Sequence, residues 1–152
     1  MRVVQTVEEL KGLIGQELGV GDWHEVTQEQ IDRFADVTGD HQWIHVDVER
    51  ARREMPGGRT IAHGYLVLSL LPLLSKGTYR LAWPTRTFNY GSDKVRFITP
   101  VPAGGKVRQR QSLVAVEDAG KGSHRIVVRA TLELEGAERP AMIADTIRMT
   151  FS

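Results

Sequence analysis

At 152 residues, of which 41% are apolar, the chain is long enough to bury a core without staples, and one domain spanning 1–152 is expected. It contains no cysteine, which excludes a disulfide framework, a thiolate metal site and a cysteine nucleophile together and points to a reducing compartment. Lys and Arg number 20 against 19 Asp and Glu, so no global field attracts nucleic acid or an acidic membrane, and an anionic ligand must be met by local groups.

The first ten residues, Met1 to Leu10, show neither the apolar run nor the small-residue cleavage site of a secretory signal, so a cytoplasmic location is expected. Gly12 to Gly21 places three apolar positions between glycines, and Asp22 to Val26 reads as a short strand. Thr27-Gln28-Glu29-Gln30 has the form of a capping box, Ile31, Phe34, Ala35 and Thr38 recur at helical spacing, and Gly39 supplies the stop. A helix over 27–38 is predicted.

The stretch that follows, Gly39 to Asp47, sets an acid and an imidazole five positions apart around the large apolar pair Trp43 and Ile44. Residues five apart do not share a helix face, so Asp40 and His45 meet, if they meet, across a turn. Trp43 and Ile44 are expected to hold that turn on the core. Asp47 caps a second, charged helix from Val48 to about Met55, and Pro56-Gly57-Gly58 ends it. Ile61 to Leu74 is apolar nearly all round, which for a helix means burial on most sides. It is too short for the roughly 20 apolar residues of a membrane span. Pro72 removes the donor for the Leu68 carbonyl and predicts a kink.

From Thr85 onward the pattern changes to β-branched and aromatic runs between turns. Strands are predicted at Thr85 to Asn89 and Lys94 to Thr99, with Gly91 marking a bulge between them, and at Lys106 to Glu117. Ser123 to Glu135 shows period-two alternation, with Ile126, Val128, Ala130, Leu132 and Leu134 on one face, and Ile143, Ile147, Met149 and Phe151 pattern a last strand. Helices followed by antiparallel strands give an α+β domain.

Several chemistries lack their motifs. No G-x-G-x-x-G or P-loop occurs, and no G-x-S-x-G. His41 and His45 have the spacing of a zinc pair, but Gln42 stands where the metalloprotease motif requires Glu, and no third ligand is evident, so no metal and no cofactor are expected.

Phe34 to His45, followed by Ala51, resembles the signature of the MaoC-like (R)-specific enoyl-CoA hydratases, whose core is G-D-x-N-P-[LIV]-H. Ala62-His63-Gly64 resembles the family's A-H-G segment, and Tyr90 to Pro102 its following strand. Gln42 and Trp43 replace the usual Asn and Pro, as in the NodN-like subgroup. The resemblance implies a hot-dog fold in which a central helix, Ile61 to Lys76, is wrapped by an antiparallel sheet, and a homodimer with sites near the interface.

It also implies hydration of trans-2-enoyl thioesters of coenzyme A or acyl carrier protein to (3R)-3-hydroxyacyl products, or the reverse. Asp40 and His45 would activate one water, and the Gly64 amide would polarise the thioester carbonyl. Each residue has a plainer reading on its own: Asp40 as a turn acid, His45 as a satisfied structural histidine, Gly64 as a close-packing position. His63 reads as a structural hydrogen-bonder, Tyr65 and Ser69 as pocket or packing residues. Arg52, Arg53, Arg59, Arg86, Lys94 and Arg96 are candidates for coenzyme A phosphates, each more simply read as part of a solvated face. The competing functions are an acyl-CoA thioesterase, and a non-catalytic acyl-thioester binder or heterodimer subunit.

Overall fold

Local signals shape the first half of the chain, which a computed structural model describes over residues 1–152. Thr27 Oγ1 accepts from the Gln30 N–H at 3.2 Å and opens helix α2, Gln28–Thr38, and Gly39 closes it at φ 78°, a left-handed conformation that costs glycine nothing. The capping box is only half made, because the Gln30 side chain turns to His24, whose Nε2–H donates to it at 3.1 Å. One turn, α3 (Trp43–Val46), and then α4 (Val48–Glu54) follow, the latter capped by Asp47 as predicted. A 3-10 turn at Pro56–Gly58 ends this helical run.

The apolar segment is helical over a narrower range than expected. Ile61 is extended and bridges Pro102, so helix begins only at Gly64, giving α5 (Gly64–Ser69). Pro72 offers no N–H to Leu68, and the helix divides there before α6 (Leu71–Leu74).

Five strands wrap this broken helix. They are β2 (Glu17–Val20), β5 (Arg86–Phe97), β6 (Lys106–Gly120), β7 (Ser123–Leu134) and β8 (Met142–Phe151), in the order β2-β6-β7-β8-β5. The short β3 (His24–Glu25) also pairs with β6, and all neighbours are antiparallel. The two predicted strands around Gly91 form one, β5, with a register shift between Asn89 and Gly91 and a second between Asp93 and Arg96. Against β7, β6 carries register shifts between Leu113 and Ala115 and between Asp118 and Gly120.

In β8 the buried face is Met142, Ala144 and then Ile147, not the series expected from Ile143; the phase changes opposite the second β5 bulge. Leu66, Val67, Leu70, Leu71 and Leu74 pack on Val107, Ala130, Leu132, Met142 and Ala144, the main core. This is the hot-dog arrangement.

Sequence reading missed a second, smaller core. β1 (Arg2–Val4) pairs in parallel with β4 (Tyr79–Leu81), and helix α1 (Val7–Lys11) brings Leu10 against Leu18, Leu113, Ile126 and Val128. No helix is long and apolar enough to cross a membrane.

Candidate active site

The site is built where three local structures converge: the loop leaving α2, the single turn α3 and the start of α5. His45 lies in α3, is 7% exposed and is fixed from several sides. Its Nδ1–H donates to the Ile61 carbonyl at 2.7 Å, and the Ile61 N–H donates to the Ile44 carbonyl at 3.0 Å, so the turn is tied to the extended chain before α5. The His45 carbonyl accepts from Gln28 Nε2 at 2.8 Å, and the buried Thr60 hydroxyl donates to Gln28 Oε1. With its proton held on Nδ1, neutral His45 presents Nε2 as an acceptor.

Asp40 stands on the exposed loop after Gly39. One of its carboxylate oxygens and one ring nitrogen each of His45 and His63 lie within 4.8 Å of one another. Asp40 and His45 therefore approach each other across a turn, as expected. His63 completes the cluster. Its Nε2–H donates to the Asp40 backbone carbonyl at 2.9 Å, and its ring stacks on His45 with centroids 3.9 Å apart.

An acid and two imidazoles this close are a possible ligand set for a metal. The rings are stacked with their planes 23° apart, and one nitrogen of each, His63 Nε2 and His45 Nδ1, already donates to a carbonyl. His41, the other half of the zinc-like pair, turns outward. Its Nε2–H donates to Asp36 at 2.9 Å, a bond that raises its pKa above the usual imidazole range.

Beside the cluster a cleft of about 230 Å³ is lined by His45, Gly64, Val67, Phe97, Ile98 and Val101, among others, most of them apolar. Gly64 is the first residue of α5, where the N–H has no acceptor within the helix. A Cβ at Gly64 would stand 2.9 Å from the Phe97 ring, so the position has no space for a side chain unless that ring moves. Phe97 as a cleft wall, and Gln28 and Thr60 as braces for His45, were not foreseen. Their partners are up to 33 residues away in sequence, which leaves no local signal.

The other singled-out residues fall elsewhere. Trp43 and Ile44 are half-buried rather than core, and Trp43 is held by the Arg50 guanidinium 4.0 Å above its ring. Tyr65 is 72% exposed with its ring edge-on to Phe97, and the Ser69 hydroxyl donates to the Tyr65 carbonyl within the helix. Of the basic candidates, Arg52 pairs with Glu49, Arg59 donates to the Ala103 carbonyl and Arg86 lies over Phe151. Lys94 is 4.0 Å from Asp145, Arg96 donates to the Val95 carbonyl, and Arg53 is exposed. They form no cluster around the cleft lining.

Comparison with known proteins agrees with this fold. The family model described as MaoC like domain matches residues 9–136. A 3-hydroxyacyl-thioester dehydratase Z of Mycobacterium tuberculosis (strain ATCC 25618 / H37Rv) is 48% identical over 147 residues, covering 97% of each chain. Nodulation protein N of Rhizobium leguminosarum bv. viciae is 46% identical over 135 residues, covering 88% of this chain and 84% of the relative. Among solved structures, the unliganded R-hydratase PhaJ1 of Pseudomonas aeruginosa shares the fold with a TM-score of 0.68 at 21% identity, over 91% of this chain and 82% of that one. A family model covering most of the chain, together with a relative of nearly equal length at 48% identity, establishes that the chain belongs to the MaoC-like domain family.

Proposed function

We propose that this protein is a hydratase/dehydratase acting on acyl thioesters, interconverting trans-2-enoyl and (3R)-3-hydroxyacyl groups carried by coenzyme A. The observation that carries the reading is the approach of Asp40 to His45 beside an apolar cleft lined by both His45 and Gly64. The name of the 48% identical relative, a 3-hydroxyacyl-thioester dehydratase, supports it.

In the hydration direction, one water sits between the Asp40 carboxylate and His45 Nε2. Its oxygen bonds to the β-carbon as its proton passes to the pair, the double-bond electrons move toward the thioester oxygen, and a proton returns from the pair to the α-carbon. Asp40 and His45 act as one coupled acid–base unit. The Gly64 N–H donates to the thioester oxygen as it gains charge, a contact whose loss typically costs about 2.7 to 4 kcal/mol. Val67, Phe97, Ile98 and Val101 give the cleft its apolar walls.

We infer a homodimer, and the edge of the sheet supports it. β5 is 12 residues long, lies at the end of the strand order and exposes Phe88, Tyr90 and Phe97, an edge that another strand can pair with. A second copy of β5, antiparallel across a two-fold axis, satisfies it.

Loss of the ultraviolet absorbance of crotonyl-CoA and longer enoyl-CoAs, with chiral analysis of the product, tests the reading. Release of free thiol without hydration would instead establish the thioesterase. Acyl-CoA binding without any turnover would establish the non-catalytic binder.

A further inference from the structure

His63 is the member of the cluster that the reaction above leaves unused, yet it adjoins every part of that reaction. It stands at the N-cap of α5, immediately before Gly64, and its side chain makes no capping hydrogen bond. The side chains favoured at an N-cap are short acceptors that engage an N–H of the first turn. An imidazole aimed elsewhere leaves those N–H groups open.

The ring is aimed at the Asp40 loop, donating from Nε2 to the Asp40 carbonyl across 23 residues of chain. It is 2% exposed, stacks on His45 and packs against Phe34 with centroids 5.0 Å apart. Its Nδ1 is buried with no hydrogen-bond partner. One form suits a ring that must donate from Nε2 and has nothing to receive a proton from Nδ1: the neutral tautomer protonated on Nε2. A proton on Nδ1 would bury a donor unsatisfied.

The geometry points to His63 as a positioning residue for the reaction: a single ring holds the backbone of Asp40, backs the ring of His45 and leaves the helix start at Gly64 uncapped. The inference rests on the hydratase/dehydratase reading given above. Asp40 needs such a tie, because it is exposed and its carboxylate makes only a 3.4 Å contact with the Gln42 N–H. Release of its carbonyl would let the acid drift relative to His45, and a displacement of about 1 Å can cost about 100-fold in rate.

The test compares wild type, Asp40→Asn, His63→Phe and His63→Gln in the crotonyl-CoA assay, with thermal melting to establish folding. Phenylalanine keeps the stacked ring and removes the donor, while glutamine places an amide N–H near the position of Nε2. The expected result is a kcat about 100-fold lower for His63→Phe with KM within about 3-fold of wild type, and recovery in His63→Gln to within about 10-fold of wild type. A His63→Phe enzyme within about 2-fold of wild type, or a His63→Gln enzyme as slow as His63→Phe, would overturn the assignment.

Because His63→Phe can fail to fold, nitrogen NMR of the wild-type imidazoles gives a separate reading. The proton is expected on Nε2 of His63 and on Nδ1 of His45, and a His63 proton on Nδ1 would overturn the assignment. Full activity in Asp40→Asn would remove the hydratase/dehydratase reading and this inference with it. An inactive Asp40→Asn beside an unaffected His63→Phe would remove this inference alone.

Discussion

The His45 Nδ1–H is bonded to the Ile61 carbonyl at 2.7 Å, and this contact leaves Nε2 as the ring nitrogen free to accept. That is the arrangement the proposed proton transfer from water requires of an imidazole.

Two substitutions separate chemistry from support at this point. Asp40→Asn keeps the shape of an exposed side chain and removes its basicity, so kcat is expected to fall by about 10² to 10⁴ while the melting temperature stays close to that of wild type. His45→Gln is expected to lose a similar factor and also to lower stability by about 0.5–1.5 kcal/mol, because the buried bond to Ile61 is lost or weakened. Absorbance kinetics and thermal melting on the same preparations check both.

Gly64 gives a steric prediction. Alanine there places a methyl group 2.9 Å from the half-exposed Phe97 ring, which has to swing aside. Gly64→Ala is expected to lower kcat/KM by at least about 10-fold and to cost about 1–3 kcal/mol of stability. Phe97→Ala in the same chain is expected to recover most of the stability but little of the rate, since the added methyl still covers the amide. A double-mutant cycle measured by urea unfolding and by turnover checks the split, and independent, additive stability losses would contradict it.

A third prediction concerns pH and lies away from the site. Arg129 on β7 grips Asp145 on β8 with two hydrogen bonds, Nε to Oδ1 at 2.8 Å and Nη2 to Oδ2 at 3.0 Å, and Asp145 is almost fully buried. Those bonds hold the carboxyl below its usual range, against the opposing effect of burial, with further help from the charges of Arg129 and Lys94. A carboxylate whose folded pKa is depressed contributes stability above its unfolded pKa and loses that contribution as pH falls through the folded value.

Arg129→Met is therefore expected to cost stability near neutral pH, and the gap from wild type is expected to close in acid below the ordinary carboxylate range. The cost should be about 1–3 kcal/mol, less than for a fully enclosed pair, because Arg129 is 47% exposed. Urea midpoints across that range check it, and a gap independent of pH would refute the assignment.

What the sequence revealed of this molecule follows the reach of its signals. Thr27, Gly39 and Asp47 act on backbone groups within three or four residues, so α2 and α4 could be located from their caps. Asp40 and His45 stood out because the signature places them five apart. The contacts that make them a site run from Gln28 to His45, from His63 to Asp40 and from Gly64 to Phe97, and no periodicity encodes pairs so distant. The β1, α1 and β4 layer escaped for a related reason. Its strands have 3 residues each, too short for an alternation to register, and they pair across more than 70 positions of sequence.

The proposed homodimer makes the last prediction. An unpaired edge strand with exposed aromatics is an association surface, and on β5 Phe88 is 54% exposed and Tyr90 70%. Beside it, a groove of about 640 Å³ between the α5–α6 segment and β5–β8 is lined by Leu68, Pro72, Tyr90 and Ile147. Sedimentation of wild type is expected to give twice the 17.0 kDa chain mass. Phe88 and Tyr90 are both exposed on this edge strand, Tyr90 at its first register shift, and pairing of two copies across a two-fold axis would bring like charges there close together. Phe88→Glu with Tyr90→Glu is therefore expected to give a folded monomer. Should wild type itself sediment as a stable 17.0 kDa species at micromolar concentration, the pairing of β5 with its own copy is wrong. If it becomes a dimer only when mixed with a second, different chain, the edge is the surface of a heterodimer instead.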